Sequence, residues 1–393
     1  MPRRLLRSYY LYQALANCNF FSPIFYVYYG ERAGLDVPHI LWVQSYFLAV
    51  RALLEVPFGA LADRVSRRLC LAGSAIGMAA GCVLLIARPT VAMVWIAETL
   101  FAMSAALRSG ADSAFLFDSL QRVDRLDLYP RAESRGQAAL SLATAITAIV
   151  GGLLAASDLR WPYVVTALAA SVTAALARRL PETPRSMPVT SRALLDAGRL
   201  ALRTPKVRWA IALAGFAVVA SHVYYYLQQP FLESIGVPVA AFGIVFAGTK
   251  LVTAVVASVA HRIDVAVAPR GAALLMTAVA AAGMLAMSLT SGPMGAVLLL
   301  SRGVLDGLWM PLVNLYLNRL VTSEARATML SLQALVGRLA LAVVIAALGG
   351  ATQVGGLAPT LAVAAAGTAL LGTALVLAGA GPLIQRRTAG RRY

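Results

Sequence analysis

The sequence predicts an all-α membrane protein of twelve transmembrane helices, arranged as two pseudo-symmetric six-helix bundles. Three observations predict it. Of the 393 residues, 60% are hydrophobic and only 13% charged, with a mean hydropathy of +0.74, whereas a soluble domain carries about a quarter charged residues. Apolar stretches near the roughly 20 residues that a span requires recur twelve times. Basic residues crowd into alternate connections between those stretches.

The expected spans cover 8–30, 38–62, 69–87, 90–118, 137–157 and 161–178, then 209–232, 238–260, 271–291, 293–318, 327–350 and 359–380. The first follows a basic start, and Ala14-Leu15-Ala16 mimics a signal-peptide cleavage site. Arg7, Tyr9, Tyr10 and Gln13 break the apolar core that such a signal needs, so a retained helix is expected. On the third span Gly73, Gly77 and Gly81 repeat every four residues and suit close helix packing. Leu180-Pro181-Glu182-Thr183-Pro184 ends the sixth. The chain from Ser191 to Arg203 then reads as a surface helix, with Leu194, Leu195, Leu200 and Leu202 facing lipid and Arg192, Arg199 and Arg203 facing water. The organisation is therefore a bundle over 1–180, a cytoplasmic linker over 181–208, and a second bundle with a basic tail over 209–393.

The halves read as copies. Val37-Pro38 and Val237-Pro238 open spans two and eight, and Asp63 and Asp264 follow the same two spans. Glu133-Ser134-Arg135 precedes Leu140-Ser141-Leu142, as Glu324-Ala325-Arg326 precedes Leu330-Ser331-Leu332.

The formal net charge of +17 invites a nucleic-acid partner, and its distribution rejects one. With the N-terminus inside, 26 Arg and Lys fall in cytoplasmic segments. They are Arg3, Arg4, Arg7, Arg64, Arg67, Arg68, Arg122, Arg125, Arg131 and Arg135; eight between Arg178 and Arg208; Arg262, Arg270, Arg319 and Arg326; and four from Arg386 on. Three, Arg32, Arg88 and Arg160, fall outside. This positive-inside bias puts both termini in the cytoplasm. Cys18, Cys70 and Cys82 form no disulfide framework, because Cys70 and Cys82 sit roughly 18 Å apart along one helix, too far to bridge.

Nine ionisable residues lie deep in spans: Arg51, Glu55, Glu98, Arg108, Asp112, Lys250, Arg302, Asp306 and Arg338. Facing lipid, each costs about 2.5–3.5 kcal/mol and the set on the order of 25 kcal/mol, so they must face a wet cavity or one another. Arg51/Glu55, Arg108/Asp112 and Arg302/Asp306 stand at i,i+4 on one helix face. They serve either as neutralising pairs or as proton-exchanging acids beside cations that hold solute. Glu98 has no Arg or Lys within four residues and is the first candidate proton carrier, followed by Asp306, Glu55 and Asp112. Lys250 and Arg338 lack local acids, and five cations against four carboxylates imply an anionic or zwitterionic solute. Asn17 in span one, and Tyr225 and Gln228 in span seven, with Arg108, Lys250, Arg302 and Arg338, complete the candidate solute-binding set. Tyr28 and Tyr29 read as an interfacial aromatic belt, and His222 as a hydrogen-bonded packing residue.

Between spans two and three runs Gly59-Ala60-Leu61-Ala62-Asp63-Arg64-Val65-Ser66-Arg67-Arg68-Leu69, too rich in arginine to lie in hydrocarbon. It resembles the loop between helices 2 and 3 of the major facilitator superfamily, G-x-L-A-D-R-x-G-R-K/R-x-x-L, departing only at Ser66, where the family usually has Gly. The resemblance covers essentially the whole chain. It implies a central cavity lined by spans 1, 4, 7 and 10, with 2, 5, 8 and 11 at the bundle interface and 3, 6, 9 and 12 outside. None of the nine deep charges falls in 3, 6, 9 or 12. It further implies that Gly59, Asp63, Arg64, Arg67, Arg68 and Asp118 gate the transporter: Asp63 meets the helix-11 N-terminus, and Arg67 pairs with Asp118. Two family patterns are altered, since Glu98 stands where many members carry Arg, and only Gly151-Gly152 survives of the helix-5 Gly-Pro-x-x-Gly-Gly.

The function implied is proton-coupled efflux of a small organic solute by alternating access, in a bacterial inner membrane, by a monomer that uses protons and no metal or cofactor. Organic-anion uptake by symport or exchange stays open, as does a non-transporting receptor on the same scaffold. An enzyme is disfavoured, because the chain has no Gly-x-Ser-x-Gly, His-Glu-x-x-His, phosphate loop or Cys-x-x-Cys.

Overall fold

The computed structural model describes residues 2–182, 198–199, 203–320 and 323–378, and the side chains of Asp63, Arg64, Asp112 and a few others lie outside that description. The linker helix expected over Ser191–Arg203 falls almost wholly outside the described residues. Among those described the chain is helical without strands: α1 Pro2–Ala16, α2 Phe25–Ala33, α3 Val37–Arg64, α4 Arg67–Ala87, α5 Val91–Gln121, α6 Tyr129–Ala155 and α7 Trp161–Ala177. After the linker come α8 Pro205–Ser234, α9 Val239–Ser288, α10 Leu300–Leu320, α11 Ser323–Gly355 and α12 Leu357–Ala378. Among the described residues, ten helical stretches are long and apolar enough to cross a membrane.

Helix starts follow local chemistry. Asp36 caps α3 by accepting from the His39 amide at 2.9 Å, and Pro38 occupies the first turn, where its missing N–H costs nothing. Slight burial pushes the Asp36 carboxyl up, but the hydrogen bonds from His39 outweigh it and hold the group below its usual range. Ser66 caps α4, its hydroxyl accepting from the Leu69 amide at 3.3 Å. Its backbone is extended, with φ of −173°, so the position has no need of the usual Gly. Gly34 and Gly236 close α2 and α8 with φ of 70° and 75°, a left-handed turn before each Val-Pro start.

Two expectations about continuity fail. The first span is no single helix: α1 stops at Ala16 and α2 starts at Phe25, and Pro23, without an N–H, falls in the break. Spans eight and nine, expected as separate helices, run on as one helical segment of 50 residues. A straight helix of that length would reach about 75 Å, yet both halves lie on α10. A Cβ on Gly303 would meet Val252, and one on Gly283 would meet Ser301. The chain therefore doubles back within helical hydrogen bonding, with Pro269 inside it as the kinking residue.

Helices α1–α7 pack mainly among themselves, as do α8–α12, and the two groups meet along α3 against α11 and α6 against α9. The second contact is backbone on backbone: a Cβ on Gly243 would overlap the Ala148 carbonyl, and one on Gly152 would come within 2.8 Å of the Ala240 carbonyl. Replacing Gly243 with Val should therefore force the groups apart and destabilise the fold by about 1–3 kcal/mol, read as a lowered unfolding midpoint in detergent. An unchanged midpoint would show that this approach is slack.

Candidate functional site

A cavity of about 660 Å³ lies between the two groups. Its wall includes Asn19 and Ser22 from the broken first span, Gln44 and Arg51 from α3, and Glu98 and Arg108 from α5. His222 and Tyr225 from α8, Trp309 from α10, and Gln333 and Arg338 from α11 also border it. Irregular backbone at membrane depth is tolerated where it lines such a space, which accounts for the break at 17–24. Spans 1, 4, 7 and 10 contribute as expected, and spans 2 and 11 contribute as well.

One end of the cavity is sealed. The Gln229 side chain accepts from the Tyr26 amide at 2.9 Å and donates to the Ser22 carbonyl at 3.0 Å, while the Ser22 and Tyr225 hydroxyls meet at 3.2 Å. Trp42 donates to the Ala346 carbonyl at 3.2 Å and Ser45 to the Ala342 carbonyl at 2.7 Å. All of these lie toward the end where α2 gives way to α3.

Glu98 is 4% exposed, and its Oε1 accepts from Tyr29 Oη and Gln44 Nε2, both at 2.7 Å. Among the described residues it has no cation partner. The aromatic-belt expectation for Tyr28 and Tyr29 is corrected: both are fully buried, Tyr29 on Glu98 and Tyr28 donating to the Leu85 carbonyl at 2.9 Å. A tyrosine in a belt faces headgroups, whereas these stack inward against one another and, through Tyr28, against Tyr163.

The deep charges sort differently from their spacing. Arg302 and Asp306 do pair, at 3.6 Å, with Lys250 4.0 Å from the same carboxylate and the Ser221 hydroxyl donating to it. Arg302 also lies over the Tyr225 ring at 5.0 Å and donates to Gln228 at 3.1 Å. Lys250 lies over Phe246 at 5.7 Å. Glu55 does not pair with Arg51. It pairs with Arg338 across the interface and accepts from the Ser109 hydroxyl at 2.6 Å. Arg108 donates to the Ala16 carbonyl at 2.6 Å, where the end of α1 leaves acceptors free, and the side chain of Asp112 lies outside the described ones. Asn17 donates to the Gln13 carbonyl at 2.7 Å and is absent from the cavity wall, as are Gln228, Lys250, Arg302 and Asp306. His222 bonds the Val218 carbonyl at 2.8 Å and also borders the cavity.

At the basic loop Arg67 pairs with Asp118, both well buried, and Arg68 reaches Glu182 at 2.7 Å. Gly59 has open space around it. The side chains of Asp63 and Arg64 lie outside the description. Sequence reasoning passed over Gln44, Ser109 and the absence of a partner for Arg51 among the described residues; only the polarity of the first two inside apolar spans signalled them. No disulfide links Cys18, Cys70 or Cys82, and no cluster of metal-ligating side chains occurs among the described residues.

Known proteins give the arrangement a context. No curated protein sequence matches the chain at a significant level. A mutant of the nucleoside transporter NupG superimposes with a TM-score of 0.83 at 12% identity, covering 95% of this chain and 99% of that one. A POT family transporter in complex with 5-aminolevulinic acid gives 0.76 at 12% identity, covering 98% and 97%. The peptide transporter POT in complex with sulfate gives 0.70 at 14% identity, covering 95% and 93%. At such identities the likeness is one of fold. The sequence profile of the Major Facilitator Superfamily matches residues 13–345. A transporter fold, a chamber between two helix groups and a match over most of the length make one assignment: this chain belongs to the major facilitator superfamily, as a multi-pass membrane transporter and not an enzyme.

Proposed function

We propose that this protein carries a small organic solute across a bacterial inner membrane by alternating access, as a monomer, coupled to protons at Glu98. The observation that carries the reading is a buried carboxylate, held by two neutral donors and by no cation among the described residues, on the wall of a cavity large enough for a small organic molecule. The similar proteins are named for nucleosides, peptides and 5-aminolevulinic acid, which supports a solute of that size.

The chain then makes twelve passes in two six-helix bundles, adding the broken α1/α2 and the 17 residues of α7 to the ten stretches. Arginine-rich loops and both termini face the cytoplasm, so the sealed end is the outer one and this is an inward-facing state. Asp306 with Lys250 and Arg302 is a structural triad and a reserve proton site.

Efflux by antiport follows from the family resemblance. A specific observation supports the second reading, symport or exchange of an organic anion: Arg51 and Arg108 border the cavity with no acid in an ion pair with either among the described residues. Proteoliposomes under an imposed pH gradient, screened with labelled solutes, test both. Solute moving against the proton flow means antiport, solute moving with it means symport, and binding without movement would overturn transport in favour of a receptor.

The Arg67–Asp118 pair, with Gly59, Asp63, Arg64 and Arg68, forms the inner gate in this reading. Arg67→Ala should slow turnover about tenfold, the loss of one charge-assisted contact worth about 1.5 kcal/mol, and leave solute affinity unchanged. Turnover equal to that of the unmodified protein would remove the gating role.

A further inference from the structure

Arg51 is a deep charge that neither the proposed coupling nor the triad absorbs. It has no hydrogen-bond or ion-pair partner among the described residues, and its Nε is fully buried without one. It borders both the central cavity and an adjoining space of about 300 Å³, and Arg108 borders the same two. Arg51 feels the like charge of Arg108, and Arg338 feels that of Arg51. The acid four residues along, Glu55, is taken by Arg338 and Ser109. Glu133 borders the smaller space, its Oε1 accepting from Gln137 at 3.3 Å and its Oε2 unpartnered, yet it makes no ion pair with either arginine. Arg108 uses one donor on the Ala16 carbonyl, out of five that a guanidinium offers.

Resting on the proposed transport function, we infer that Arg51 and Arg108 form an anion subsite for the carboxylate of a small organic acid whose apolar body lies along the Tyr225 and Tyr226 side of the cavity. Two like charges at membrane depth are tolerated beside water or a counter-charge. The planar guanidinium fork matches a carboxylate in two-point contact. The aromatic part of the wall, Phe47, Phe101, Tyr225 and Tyr226, suits an apolar body more than a bare inorganic ion. Arg108, anchored on the broken end of α1, couples occupancy of the subsite to the first span.

Thermal unfolding of the purified full chain, at fixed pH and ionic strength, tests this with matched pairs: benzoate and benzamide, phenylacetate and phenylacetamide, hexanoate and hexanamide, with sulfate as an inorganic control. Carboxylates should raise the midpoint where their amides do not. Arg51→Gln and Arg108→Gln should each weaken the apparent affinity by at least about thirtyfold, and Arg51→Lys by less. Glu133→Gln, which removes an acid bordering the smaller space, should tighten it. Amides as effective as carboxylates, a shift from sulfate alone, or a carboxylate shift surviving in the double Gln variant would each overturn the subsite. The comparison on the unmodified protein stands even where a variant fails to fold. Carboxylate binding without solute movement in proteoliposomes would sink the transport reading alone, and proton-coupled movement without carboxylate preference would sink the subsite alone.

Discussion

Glu98→Gln should abolish uphill transport while sparing downhill exchange. Glutamine keeps the carbonyl oxygen that accepts from Tyr29 and Gln44, so the local packing survives and only the exchangeable proton is lost. A gradient of two pH units is worth about 2.7 kcal/mol per proton, enough to sustain roughly a hundredfold solute ratio across the vesicle membrane when one proton is coupled. The variant should equilibrate at a ratio of about one, with counterflow of labelled solute still running. Tyr29→Phe, which removes a donor but no titrating group, should slow transport and leave the ratio intact. If the Gln variant still reached the full ratio, the proton would travel elsewhere, and Asp306 would be the next place to look.

Asp306→Asn should be the most destabilising single change in the second group of helices. Its carboxylate faces Arg302 at 3.6 Å and Lys250 at 4.0 Å, and Arg302 is only 5% exposed. Removing the acid leaves two cations at membrane depth with only the Tyr225 and Phe246 rings and Gln228 for support. Breaking a buried pair by deleting one partner costs about 3–5 kcal/mol, so the unfolding midpoint in detergent should fall by several degrees. Adding Lys250→Met should recover part of the loss, because it deletes one of the stranded charges. A midpoint that does not move, together with lost proton coupling, would instead make Asp306 the carrier and leave Glu98 a structural acid. Variants of these two residues thus separate the roles that sequence spacing could only rank.

How far the chain could be read in advance depended on the range of each interaction. Hydropathy and loop charge are properties of short stretches, and they located the ten stretches that are long and apolar enough to cross a membrane among the described residues, most of them to within a few residues. The loop motif placed Arg67 against Asp118, since both sit at fixed ends of neighbouring helices. The joining of α3 to α11 and α6 to α9 was legible through the family resemblance. Ion pairing was legible only in part. Spacing at i,i+4 identified Arg302 with Asp306, but the same spacing failed for Arg51 and Glu55, because α11 brings Arg338 closer to that carboxylate.

By itself, then, the sequence determined that the protein lives in a bilayer and that its buried charges must look inward. Those follow from the cost of placing each residue type in hydrocarbon, which is paid locally. Tertiary structure alone decided that Glu98 is cradled by Tyr29 and Gln44 from other helices, that Arg51 has no ion-pair partner among the described residues, and that the first span breaks to line a cavity. Each of these depends on which side chain lies across the gap between helices, and that distance is set by helix packing and not by position along the chain.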